Sequence, residues 1–157
     1  MLLYLSIIIP AYNEEPTILS ILKKIHNLKL NINKEIIVID DCSIDNTNML
    51  LKKNQTLYNH LISLERNLGK GGAVLKGLEK ATGDYILFQD ADLEYSPTDY
   101  NLLIKPIIEF GADVVMGTRF SGSTFTRVHY FWHKVGNRSI TFIFNLINNT
   151  TFTDIYS

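Results

Sequence analysis

The chain has 157 residues, 46% hydrophobic and 20% charged, with a formal net charge of -1. That is enough chain for one domain with a core, and no overall field favours nucleic acid or an anionic surface. A single cysteine, Cys42, excludes an internal disulfide and fits a reducing compartment; no signal peptide pattern opens the chain, and no apolar run nears the roughly 18 residues of a membrane span.

In chain order, strand and helix signals alternate. LYLSIII (3–9) is β-branched and apolar, and Pro10 is expected to end it. Pro16 suits a first helical turn behind Glu14 and Glu15, and Ile18, Ile21, Leu22, Ile25 and Leu28 recur at helical spacing. EIIVID (35–40) reads as a second buried strand, a polar turn follows, and a short helix runs through Met49 to Lys53. HLISLE (60–65) is a third strand and RNLGKGG a loop; Ala73 to Ala81 is a helix, stopped by Gly83. DYILFQ is a fourth strand, and Ser96-Pro97 caps a helix to about Phe110. ADVVMGT is expected as a fifth strand, 119–129 as a loop, and Tyr130 to Asn148 as a long helix. The chain stops at TFTDIYS without a Gly, Pro or polar tail, so 157 residues read as one domain incomplete at its C-terminus.

Strands spaced by helices mean βαβ units and an α/β fold with a mostly parallel sheet. Ligands of such sheets bind beyond the carboxyl ends of the strands. Polar clusters gather there: Asn13-Glu14 after strand one, Asp40-Asp41 after strand two, Asp90-x-Asp92 after strand four, Arg119 after strand five. Two carboxylates as close as Asp90 and Asp92 repel unless a counter-charge is present, and a hard divalent cation such as Mg²⁺ or Mn²⁺ supplies one while leaving sites for phosphates. Glu94 is either a third ligand or a surface acid; the bland alternative for the whole motif is a solvated, helix-capping turn. Asp41 is assigned a ligand role toward a nucleoside and Asp40 a structural one. NLGKGGA matches neither common phosphate loop, and Lys70 reads equally as a base or phosphate contact and as part of a tight turn. The acidic PAYNEE loop argues against a dinucleotide oxidoreductase.

Between Asp113 and Asp154 there is no acidic residue, while Arg119, Arg127, Lys134 and Arg138 lie among aromatics. Such a stretch suits a diphosphate, a lipid phosphate or anionic headgroups; four fixed charges are too few to favour nucleic acid.

SIIIPAYNEE, EIIVIDDCSIDNT, NLGKGGAVLKGLEKATGDYILFQDADLEYSPTDY and ADVVMGTRFSG together resemble the family 2 glycosyltransferases with the GT-A fold, in particular the polyprenyl-phosphate sugar synthases of the dolichol-phosphate mannose synthase type. The resemblance implies a Rossmann-like central sheet and inverting transfer of a sugar from a UDP- or GDP-linked donor to a polyprenyl phosphate, at the cytoplasmic face of a membrane and in contact with its surface. It implies that Pro10, Tyr12 and Glu14 line the nucleotide pocket, that Asp41 meets the nucleoside, and that Asp90 and Asp92 hold the metal on the diphosphate, with Glu94 where relatives often carry Gln. Arg119 would meet phosphate, and Lys134 or Arg138 would add a second basic contact. Cys42 stands where many relatives have Gly. A phosphate acceptor needs no strong base; a saccharide hydroxyl acceptor, the alternative, would need one, and Asp154 is the candidate. A further alternative is an inactive nucleotide-binding fragment.

Overall fold

The computed structural model describes residues 3–116 and 131–152. They form two compact units, Met1–Asn101 and Leu102–Ser157.

The first unit is built on a parallel sheet. Strands β1 (Tyr4–Ala11), β2 (Asn33–Asp40), β3 (His60–Ser63) and β4 (Tyr85–Phe88) lie in the order β3-β2-β1-β4, alternating with helices α1 (Ile18–Asn27), α2 (Thr47–Lys53) and α3 (Gly69–Lys80). The chain steps outward from β1 through β2 to β3, then returns to set β4 on the other side of β1. The carboxyl ends of β1 and β4 therefore flank a topological switch point, where open α/β sheets bind ligands.

Burial follows from composition. Ile7, Ile8, Ile9, Ile37, Val38 and Ile39 alternate faces of the two central strands, and none retains accessible surface. Both faces are thus covered, as a parallel sheet requires. The apolar stripe of α1 (Ile18, Ile21, Leu22, Ile25) is fully buried as its spacing predicts. The α3 helix packs on β1 and β2 through Ala73 and Gly77. A Cβ on Gly77 would stand 2.6 Å from Ile8 Cγ2 and 2.8 Å from Ile39 Cδ1, so only glycine allows that approach. At the amino ends of the strands, buried Glu35 accepts hydrogen bonds from the Ser6 hydroxyl and from the Thr82 N–H and hydroxyl, and its other oxygen lies 3.7 Å from His60 Nε2. Lys34 Nζ closes the end of α1 by donating to the carbonyls of Ile25, His26 and Leu28; burial lowers its pKa.

Three expectations change. The first strand continues through Pro10, which pairs in register with Ile39. Ile8 C=O accepts from Gln89 N–H on the β4 side and Ala11 C=O accepts from Asp41 N–H on the β2 side. Consecutive residues face opposite neighbours, so Pro10 turns toward the β4 side, beyond Phe88 where that strand stops; its missing N–H breaks no ladder bond. The expected RNLGKGG loop is helical from Gly69. Leu68 N–H donates to Asp41 Oδ1 and Gly69 N–H to Asn67 Oδ1, and Gly69 itself takes φ +74. Tertiary bonds and one left-handed glycine override the low helix propensity of the sequence.

The second unit contains most of α4 (Tyr100–Phe110) and all of α5 (Phe131–Asn148). Residues 113–116, expected within a fifth strand, are not in a strand, and Val114 is 64% exposed. An apolar run becomes a strand only when its backbone finds a ladder partner, and none is present for it among the described residues. The end of α5 is sealed by Asn145, whose Nδ2 donates to Phe152 C=O and whose Oδ1 accepts from Thr150 Oγ1 and Phe152 N–H.

Candidate functional site

Three loops at the carboxyl ends of the strands build the site. The loop after β1 is clasped to the loop after β2. Asn13 N–H donates to Ser43 Oγ at 3.0 Å, and Ile44 N–H donates to Asn13 Oδ1 at 2.9 Å. Glu14 N–H donates to Thr47 Oγ1 and Glu15 N–H to Asp45 Oδ2. Asn13 takes φ 56, a conformation asparagine tolerates better than most residues. Burial pushes the Asp45 carboxyl up, but hydrogen bonds from the Thr47 hydroxyl, the Thr47 N–H and the Glu15 N–H hold it below its ordinary value. This clasp sets Tyr12 and Glu14 beside Asp41.

Asp40 and Asp41 are both buried but differently engaged. Asp40 is consumed by its turn: Oδ1 accepts from Ser43 N–H, and Oδ2 from Asn48 Nδ2. Asp41 accepts from Leu68 N–H at 2.7 Å through Oδ1, while its Oδ2 has no hydrogen-bond partner among the described residues. It pins the start of α3 through Oδ1.

The loop after β4 hangs on Gln89, which is buried. Gln89 Nε2 donates to the carbonyls of Asp90 and Tyr95, and Oε1 accepts from Tyr100 Oη at 2.7 Å. Burial pushes the Tyr100 hydroxyl well above its ordinary pKa, so it stays a donor. Asp92 Oδ1 accepts from Glu94 N–H, turning the chain through Leu93 at φ 66.

Pro10, Ala11, Tyr12, Glu14, Asp41, Lys70, Ala73, Asp90, Ala91 and Asp92 line one cleft of about 210 Å³. Seven of the residues singled out from the sequence thus share one cavity at the switch point: Pro10, Tyr12, Glu14, Asp41, Lys70, Asp90 and Asp92. Glu94 does not line it. No group of three acids, histidines or cysteines placed to hold an ion occurs among the described residues, so the expected trio of Asp90, Asp92 and Glu94 is not assembled. The reason is local: the turn that joins Glu94 N–H to Asp92 leaves the Glu94 side chain outside the cleft. Arg138 is exposed on α5. Arg119, Arg127, Asp154 and the side chain of Lys134 lie outside the described residues.

Lys70 Nζ stands 2.5 Å from Asp90 Oδ1. Asp90 Oδ2 and Asp92 Oδ2 have no partner among the described residues. Two free oxygens from neighbouring carboxylates fit a hard cation that completes its shell with phosphate oxygens and water. Tyr100 and Thr47 carry no signal in the sequence that marks them as supports of the site, and Asn13 is legible only as part of the polar cluster after β1. Gln89 is legible only as a polar residue ending an apolar strand.

A family model described as glycosyl transferase family 2 matches residues 6–155. UDP-N-acetylglucosamine--dolichyl-phosphate N-acetylglucosaminyltransferase of Methanococcus voltae is 34% identical over 99% of this chain, which covers 67% of that protein. The chain spans only 33% to 61% of three other curated relatives. Staphylococcus aureus TarS 1–349 in complex with UDP-GlcNAc superposes with a TM-score of 0.60 at 27% identity, over 78% of this chain and 37% of that one. Glucosyl-3-phosphoglycerate synthase from Mycobacterium tuberculosis, in complex with Mn²⁺, UDP and glucosyl-3-phosphoglycerate, gives 0.57 at 28% identity, over 68% of this chain and 40% of that one.

Proposed function

We propose, proceeding from the fact that the chain belongs to glycosyl transferase family 2, that it binds a nucleoside-diphosphate sugar, UDP- or GDP-linked, and serves inverting transfer of the sugar to a polyprenyl phosphate. The observation that carries this reading is one shared cleft at the β1/β4 switch point, lined by Tyr12, Glu14, Asp41, Lys70, Asp90 and Asp92. The Methanococcus voltae relative, whose name pairs UDP-N-acetylglucosamine with dolichyl phosphate, supports the donor and acceptor classes.

In this reading the nucleoside lies against Tyr12, and Asp41 Oδ2 accepts from its hydroxyl or N–H groups. Asp41 is already oriented by Leu68 N–H, so little ordering is needed on binding. Asp90 and Asp92 would hold Mg²⁺ or Mn²⁺ through their free oxygens, and that ion would neutralise charge developing on the departing diphosphate. Gln89 and Tyr100 fix the backbone that carries both carboxylates. A phosphate acceptor, with a second pKa of about 6, is largely ionised at neutral pH and attacks without a general base. Arg119 is proposed as a phosphate contact, with Lys134 or Arg138 as a second, and Asp154 as the base for a hydroxyl acceptor. No helix among the described residues is long and apolar enough to cross a membrane. The lipid acceptor nevertheless puts the reaction at a membrane surface, proposed here as the cytoplasmic face.

Titration calorimetry of UDP and GDP, with and without Mn²⁺, on wild type and Asp92→Asn tests the reading. Wild type should bind one nucleotide at least about tenfold more tightly with Mn²⁺, equivalent to about 1.4 kcal/mol. The variant should lose that enhancement. Equal nucleotide affinity in every condition would remove the metal from the account. A panel of UDP-glucose, GDP-mannose and UDP-N-acetylglucosamine with polyprenyl phosphate then identifies the donor through label recovered in lipid.

A further inference from the structure

Lys70 sits in the first turn of α3, at the positive end of the helix dipole, where a cation is disfavoured. No acidic residue in that turn offsets it. Its Nζ instead pairs with Asp90 Oδ1 at 2.5 Å, with the Lys70 side chain 67% exposed and that of Asp90 28% exposed. Glu14, Asp41, Asp90 and Asp92 also line the cleft, and Lys70 is the one cation among its described lining residues. Without a metal, this ammonium is the local counter-charge to a concentration of carboxylates.

We propose that Lys70 is a resident counter-ion of Asp90, one that a divalent cation displaces and that then passes to the phosphates of the nucleotide, so that metal and nucleotide load together. The proposal rests on the nucleotide-sugar reading above. An ammonium and a divalent cation on one carboxylate repel each other at contact distance, so Lys70 opposes entry of the ion alone. Its four-carbon stem is flexible and mostly solvated, so the head can swing without disturbing α3. A diphosphate gives the released ammonium an anionic partner at the same helix start, where the dipole also favours negative charge. Metal and nucleotide each remove an obstacle to the other. Lys70 therefore carries a positive coupling between them, and that coupling is reciprocal.

Calorimetry with Mn²⁺ alone, and with Mn²⁺ at saturating UDP, on wild type, Lys70→Met and Lys70→Arg reads this directly. Lys70→Met should bind Mn²⁺ alone about threefold to tenfold more tightly, the scale expected when a partly exposed charge is removed. The gain in Mn²⁺ affinity on adding UDP should shrink in the same variant, and UDP should bind it more weakly. Lys70→Arg keeps the charge and should stay within about twofold of wild type for Mn²⁺ alone, on the same scale. If Lys70→Met binds Mn²⁺ alone no better than wild type while wild type still shows Mn²⁺-dependent UDP binding, the exchange is wrong and the nucleotide reading survives. If wild type binds neither Mn²⁺ nor UDP, both fall.

Discussion

The hydroxyl of Tyr100 donates to Gln89 Oε1 at 2.7 Å, and both residues are buried. That bond completes the Gln89 side chain, whose Nε2 already donates to the carbonyls at both ends of the loop holding Asp90 and Asp92. Tyr100→Phe leaves the Gln89 oxygen buried without a donor, at a cost of about 1–3 kcal/mol. Urea unfolding should show a lower midpoint at unchanged slope. Mn²⁺-dependent UDP binding should weaken as well, because the carboxylates lose their backbone brace. An unchanged midpoint would mean that water or a shifted backbone replaces the tyrosine.

In the proposed reading Asp41 has two tasks, one for each carboxylate oxygen. Asp41→Asn can keep Oδ1 as the acceptor for Leu68 N–H, so its stability should stay within about 1 kcal/mol of wild type. Its other atom becomes a donor, facing ligand groups that also donate, so nucleotide affinity should fall about tenfold or more. Asp41→Ala should lose both stability and affinity. Thermal melts beside calorimetry separate the two variants; a large melting drop in Asp41→Asn would make the residue chiefly structural.

Cys42 adopts φ 62, a left-handed conformation that costs a side-chain-bearing residue about 1–2 kcal/mol. Glycine there costs about 0.5–1 kcal/mol in unfolded-state entropy. Among the described residues the thiol makes one weak hydrogen bond, to Glu65 C=O at 3.7 Å. Cys42→Gly is expected to raise the melting temperature by about 1–4 °C, the shift that a gain near 0.5–1 kcal/mol produces in a domain of this size. A lower melting temperature would assign the thiol a packing role that outweighs its backbone strain.

Glu35 supplies a pH dependence. Burial pushes its carboxyl up, but hydrogen bonds from Ser6 and from the Thr82 N–H and hydroxyl, with the nearby His60, hold it below the ordinary 4.5. A depressed carboxyl pKa stabilises the fold above the unfolded value and loses that contribution as pH falls through the folded one. Stability measured by urea should therefore fall as pH drops below about 4.5, the value from which Glu35 is displaced. Glu35→Gln preserves the shape and the main acceptor while removing the titration, so its acid limb should be flatter than that of wild type. Parallel limbs in the two proteins would shift the acid sensitivity elsewhere.

Much of this molecule is written in local pattern. Branched apolar runs bounded by turn residues mark β1, β2 and β4, and the stripe Ile18, Ile21, Leu22, Ile25 marks α1. Their alternation implies a parallel sheet, and the parallel sheet implies a ligand rim at its carboxyl edge. Chemistry on consecutive residues was equally legible, since Asp90-x-Asp92 repels itself at any fold. Such features depend on neighbours a few positions apart, and a linear reading contains them. Other outcomes rest on pairs far apart in the chain. Asp41 and Leu68 are 27 residues apart, and their bond turns an expected glycine loop into the first turn of α3. Pro10 stays inside a strand because β4 stops at Phe88, and residues 113–116 find no ladder partner among the described residues. Which oxygen of Asp90 meets Lys70, and which remains free, follows from the start of α3 and the loop after β4 meeting at one cleft. Hydrogen bonds and ion pairs act over about 3 Å, and only the packed chain sets distances on that scale.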